Sequence, residues 1–135
     1  MSNSLIMMAT TTSNSVLENG TIPLTTITRR RGCAVESGAN SIILNRPGYY
    51  KVNASITFTA PAAGLVNVTA QKNGVDIVGM AASTTVTTAT TQVQTLNISG
   101  IVRVFCNEGF GTLTLVNSGV AITTSNVEID VEYLG

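Results

Sequence analysis

Glu128, Asp130 and Glu132 form the one carboxylate array in the chain. On a strand their i, i+2 spacing holds successive carboxyls roughly 6.5 to 7 Å apart on one face, near the gap that inverting glycosidases use. Catalysis of that kind also needs a cleft and shifted proton affinities, and a charged row on the solvent face of a terminal strand accounts for the same three residues. The chain has no histidine. Serine and cysteine nucleophiles therefore lack their usual general base, and a zinc set cannot be completed. Neither a catalytic residue, a metal nor a cofactor is expected, and the protein is read as a non-enzyme.

Cys33 and Cys106 are too far apart in sequence for a CxxC motif, so two buried free thiols are the expected state, with a disulfide between them as the alternative for a chain outside a cell. Arg29, Arg30 and Arg31 are the one charge cluster. It is read as a solvated edge or loop, or as a docking point for an acidic partner or phosphate. Tyr49 falls out of phase with the buried positions around it and is read as an exposed contact at a subunit interface. Sequons at Asn19, Asn53, Asn67 and Asn97 would matter in a secretory pathway, but are expected by chance in a chain with 12 Asn, 21 Thr and 11 Ser.

The elements that must carry these residues are strands. Tyr50, Val52, Ala54, Ile56, Phe58 and Ala60 alternate with Lys51, Asn53, Ser55, Thr57 and Thr59, the period-two pattern of a half-buried strand. Leu65 to Lys72 continues it after a turn at Pro61 to Gly64, and Asn73-Gly74 reads as a tight hairpin into Val75 to Ala82. Ser83 to Thr91 is compatible with an exposed strand or a long loop. Gln92 to Val104 resumes the pattern, with Gly100 read as a bulge or bend. Short strands at Ala34 to Glu36, Ser41 to Leu44 and Thr112 to Val116 lead to a closing strand at Asn126 to Tyr133. Seven to ten strands without a helical period predict an all-β antiparallel sandwich of jelly-roll topology.

With 135 residues the chain has room for one core. Residues 1–23, rich in Ser, Thr and Asn, are read as an N-terminal arm or anchor, and residues 24–135 as the jelly-roll domain. Seven basic and seven acidic side chains leave no net field to attract nucleic acid or an anionic membrane. A mean hydropathy of +0.33 with 10% charged residues favours burial in an oligomer. No apolar run approaches the eighteen or so residues of a membrane helix, and no signal peptide is read at the N-terminus.

The run Gly48, Tyr49, Tyr50, Lys51, Val52 opening a long strand, the segment Val66 to Gly74 ending in Asn-Gly, and the closing strand Val127 to Tyr133 resemble the jelly-roll superfamily of tumour necrosis factor and the complement globular head, in its bacterial or bacteriophage form. The resemblance covers roughly residues 24 to 135 and implies a homotrimer. It also implies a structural role as a head on a virion, a decoration, fibre or tail accessory protein made in the host cytoplasm and attached to other virion or surface proteins by the N-terminal arm. No Gly-X-Y collagen stalk is present. The alternative is an adhesin that grips a host surface glycan or receptor through its loops.

Overall fold

The computed structural model describes residues 4–135. They form two antiparallel sheets packed face to face, a sandwich of eleven strands. In chain order these are β1 (Leu5–Thr10), β2 (Asn14–Val16), β3 (Thr26–Arg31), β4 (Val35–Gly38), β5 (Ser41–Leu44), β6 (Gly48–Thr59), β7 (Gly64–Lys72), β8 (Val75–Val86), β9 (Gln94–Val104), β10 (Gly111–Asn117) and β11 (Ile122–Tyr133). One sheet has the order β3-β1-β11-β6-β9, with β2 paired to the early part of β11; the other runs β4-β5-β10-β7-β8. Consecutive strands often lie in opposite sheets, as a jelly roll requires.

The long alternation in β6 places Tyr50, Val52, Ala54, Ile56 and Phe58 in the core. Across the gap they meet Val66, Val68 and Ala70 of β7 and Leu113 and Leu115 of β10. β11 delivers Val127, Ile129 and Val131 to the same core and turns Glu128 and Glu132 to solvent. Asn73 and Gly74 both have positive φ, 53° and 81°, the pair of left-handed conformations that a type I′ hairpin requires.

The expected N-terminal arm is a correction. Residues 1–3 lie outside the described residues, but Leu5–Thr10 forms β1, hydrogen-bonded between β3 and β11 inside the sheet. Ile6 and Met8 are fully buried, so the segment is part of the sandwich. Its sequence shows no polar–apolar alternation and uses Met and Ala, which carry little strand signal. Gly100 differs from expectation as well: β9 pairs with β6 without a shift from Gly48↔Val104 to Phe58↔Gln94. The glycine serves close packing between the sheets, since a Cβ there would stand 2.8 Å from Met80 Cγ. Ser83 to Val86 belongs to β8, and the chain turns only after it.

The bulge lies in β8 instead. Thr69 pairs with Ala81 and Gln71 with Asp76, so Ile77 to Met80 loop out opposite Ala70. Gly79, with φ +85°, makes the turn, and Val78 at its tip is 99% exposed.

Candidate functional site

The outward face of the first sheet carries most of the polar chemistry. Register places Arg31, Leu5, Glu132, Lys51 and Ile101 in one row across β3, β1, β11, β6 and β9. The next row holds Arg29, Met7, Asp130, Asn53 and Ser99. The carboxylate array thus sits in the middle of an open sheet face. A shallow depression of about 310 Å³ there is lined by Asn53, Ser55, Asn97, Ser99, Glu128 and Asp130. Asn53 Nδ2 donates to Asp130 Oδ1 at 3.3 Å, and Glu128 and Glu132 are exposed. Among the described residues no cluster of three or more His, Cys, Asp or Glu side chains is arranged to hold a metal.

Arg29, Arg30 and Arg31 lie on the edge strand β3, every residue of which is exposed. Alternation sends Arg29 and Arg31 to the outward face and Arg30 to the other side. None of the three is in an ion pair among the described residues, where the one such contact is Lys72–Glu108 at 2.9 Å. The structure therefore keeps the arginines together as an uncompensated cationic edge, separated from the carboxylates by β1.

Tyr49, half exposed, lies beside Arg103 in the β6–β9 register. The Arg103 guanidinium stacks on two rings, with Cζ 5.4 Å from the Tyr49 centroid and 4.5 Å from that of Phe105. Lys72 Nζ lies 5.0 Å from the Phe105 centroid and donates to the Arg103 carbonyl at 2.7 Å. Glu108 Oε1 accepts from the Phe105 amide at 2.7 Å and from Lys72. These two hydrogen bonds, the backbone one foremost, hold the Glu108 carboxyl below its ordinary range.

Next to this stack opens a groove of about 400 Å³ lined by Val75, Ile77, Val78, Ile101 and Phe105, with Lys72 and Arg103 on its rim. It runs along the neighbouring edges of both sheets, β8 and β9. Sequence reasoning placed Tyr49 at the surface, as it is, and did not single out Arg103, Val78, Ile101 or Phe105. The cationic ring stack depends on strand register, which a single sequence does not display. The bulge had one signal, Gly79 interrupting an apolar strand pattern.

Both cysteines are free, as expected, but they are exposed rather than buried, because each falls in a turn beyond the end of a strand. Cys33 Sγ accepts a hydrogen bond from Arg46 Nη2 at 3.2 Å. Asn53, Asn67 and Asn97 lie within β6, β7 and β9, and Asn19 in a turn.

No protein-family model matches the chain, and no curated protein matches it. Solved structures do. The globular domain of zebrafish complement 1qA superposes with a TM-score of 0.70 at 4% identity, covering 98% of each chain. The Eiger TNF of S. frugiperda gives 0.70 at 11% identity, over 98% of this chain and 94% of its own. The PRD1 vertex protein P5 gives 0.63 at 12% identity, over 100% of this chain and 99% of its own. The fold is a TNF-like jelly roll. Identities this low speak for architecture alone, and the near-complete coverage includes the strands formed by residues 5–16.

Proposed function

We propose that the protein is a homotrimeric jelly-roll head displayed on a virion, with a structural and docking role rather than an enzymatic one. The observation that carries this reading is the apolar edge at Val75, Val78, Ile101 and Phe105. Val78 is 99% and Val75 68% exposed, on a chain with 10% charged residues. An apolar patch next to a free sheet edge is an aggregation hazard unless another chain covers it. Assembly into a closed ring removes both liabilities. The likeness to the vertex protein of phage PRD1 over the whole chain supports placement on a particle, and the likeness to the tumour necrosis factor and complement heads supports the three-fold state.

The cationic edge of Arg29, Arg30 and Arg31 is the surface offered to an acidic partner on the particle. It replaces the N-terminal arm as the point of attachment, since that segment is built into the sheet.

The test is the solution mass of the purified chain by light scattering after size exclusion. A mass near three times 14.0 kDa is expected, and a mass of one chain at micromolar concentration would remove the reading. For the particle, immunogold labelling of intact virions should mark discrete surface positions.

A further inference from the structure

β3 is the outer strand of the first sheet, paired with β1 alone. Outside that pairing, no backbone hydrogen bond reaches Thr26–Arg31 among the described residues, and all six side chains are exposed. Such an edge offers a row of amides and carbonyls on which another extended chain can add.

Register decides how the three consecutive arginines are presented. Arg29 and Arg31 pair with Met7 and Leu5 on the outward face, and Arg30 with Ile6, whose side chain is buried in the core. A ligand lying on one face of the sheet, a nucleic-acid backbone included, meets one or two of the three. A strand laid alongside β3 has side chains that alternate with the same period. Three consecutive carboxylates in that strand therefore meet all three arginines, each on its own face.

We propose that β3 receives an extended acidic segment of another protein as an added strand, with three consecutive Asp or Glu residues set opposite Arg29, Arg30 and Arg31. The inference deepens the docking reading above and rests on it.

A copy of this chain does not fit the edge. Two β3 strands meeting side by side would oppose arginine to arginine, which destabilises the pair. None of the seven acidic residues in the sequence adjoins another. The densest group, Glu128, Asp130 and Glu132, presents its carboxylates on one face and lies in a strand paired on both sides, by β1 and β6.

The footprint is bounded at both ends. Arg29 pairs with Met7 and Ile27 with Met8, so Thr28 is the extra residue of a bulge, and its Oγ1 donates to the Met7 carbonyl at 3.1 Å. Gly32, with φ +79°, turns the chain beyond Arg31. The regular edge between them is residues 29–31, the three that carry the charge. So short an edge holds a neutral strand poorly, whereas each guanidinium adds a charge-assisted, forked contact to a carboxylate.

The experiment titrates the full chain into a fluorescent peptide of three consecutive glutamates flanked by threonine and valine, and reads anisotropy. Saturable binding that weakens with added salt is expected. A peptide of the same composition with its glutamates at alternate positions should bind about fivefold more weakly, since its carboxylates share one face. N-methylation of the backbone along the glutamate run keeps the charges and removes the amide donors, and should weaken binding about tenfold. Arg30→Gln should lose as much affinity as Arg29→Gln, with far-ultraviolet dichroism unchanged in both. Equal binding by either altered peptide would overturn strand addition while leaving an acidic partner in place. A glutamate run that fails to bind, or that binds the triple variant Arg29→Gln, Arg30→Gln, Arg31→Gln as well as the unaltered chain, would remove β3 as a docking surface altogether. Tighter binding of a single-stranded oligothymidylate than of the peptide would assign the edge to nucleic acid and overturn the proposal. The trimeric head is tested separately by its mass and is untouched by failure here.

Discussion

Tyr50 carries more of the local structure than its place in an alternating strand suggests. Its hydroxyl donates to the Arg46 carbonyl at 2.6 Å and accepts from the Arg46 amide at 3.0 Å, while its ring is fully buried and lies 4.8 Å from that of Tyr133. Tyr50→Phe keeps the ring and strands both backbone groups, so a loss of about 1 to 3 kcal/mol is expected in urea unfolding. Burial also raises the phenol's proton affinity. The folded state therefore favours the neutral phenol, and its contribution is intact below the ordinary tyrosine value of about 10 and lost as pH rises through the elevated one. A stability profile should fall at alkaline pH, and Tyr50→Phe should flatten that fall. Glu108 has the opposite sign. Its depressed proton affinity means that its two hydrogen bonds act above the ordinary carboxylate value and weaken as pH falls through the lowered one. Amide protection in the Phe105 to Phe110 turn, taken relative to the intrinsic exchange rate at each pH, should fall on acidification through that window, and Glu108→Gln should make it low throughout.

Asn117 shows what residue-level reading misses. It ends β10, fully buried, and its Nδ2 donates to the carbonyls of Val120 at 2.9 Å, Val16 at 3.3 Å and Leu17 at 3.4 Å, while Oδ1 accepts from the Gly119 amide. One amide thus ties β2 and the chain after it to the opposite sheet. Asn117→Ala is expected to destabilise by about 1 to 3 kcal/mol in chemical denaturation, since the buried Val16 carbonyl and the part-buried carbonyls of Leu17 and Val120 lose a donor together. Nothing in the local sequence sets this asparagine apart from eleven others. The contact is long-range, joining residues about a hundred positions apart.

At the scale of elements, the strands legible in the sequence are those whose two faces differ strongly in polarity. β6 and β11 are of this kind, and the Asn73-Gly74 hairpin announces itself through turn chemistry. Gly74→Val should cost about 1 to 2 kcal/mol, because φ there is +81° and the Cβ would meet no compensating contact. β1 is illegible for the complementary reason. Its outward residues Leu5, Met7 and Ala9 are as apolar as its inward ones, so no alternation shows. That sameness is itself informative once the sheet is known, since apolar residues on both faces belong to a strand covered on both sides. Removal of residues 1–10 should abolish cooperative folding, where loss of a mere tether would leave the thermal transition unchanged. Gly100 is a further case. Its effect runs through Met80 of the opposite sheet, and Gly100→Val is expected to destabilise by about 1 to 3 kcal/mol through overpacking.

At the scale of the whole molecule, composition favours assembly through few charges, no net charge and a positive mean hydropathy. The particular surfaces were not anticipated, because the groove draws Lys72, Val78 and Ile101 from three different strands and takes shape only when β8 bulges beside β9. The exposure of Tyr49 is legible through its phase, whereas Arg103, whose guanidinium lies on that ring, sits across a strand pairing. Arg29 and Arg31 of β3 share the outward face and Arg30 points to the other side, so the run makes an exposed cationic edge strand.

The central claim is that this jelly roll exists as a closed ring of three. Native mass spectrometry of the full chain at low micromolar concentration tests it most directly. The account predicts a dominant species of three times 14.0 kDa with little dimer, since a head-to-tail pair leaves its two end surfaces uncovered until the third copy closes the ring. A spectrum dominated by single chains, or by dimers that persist on dilution, would contradict it.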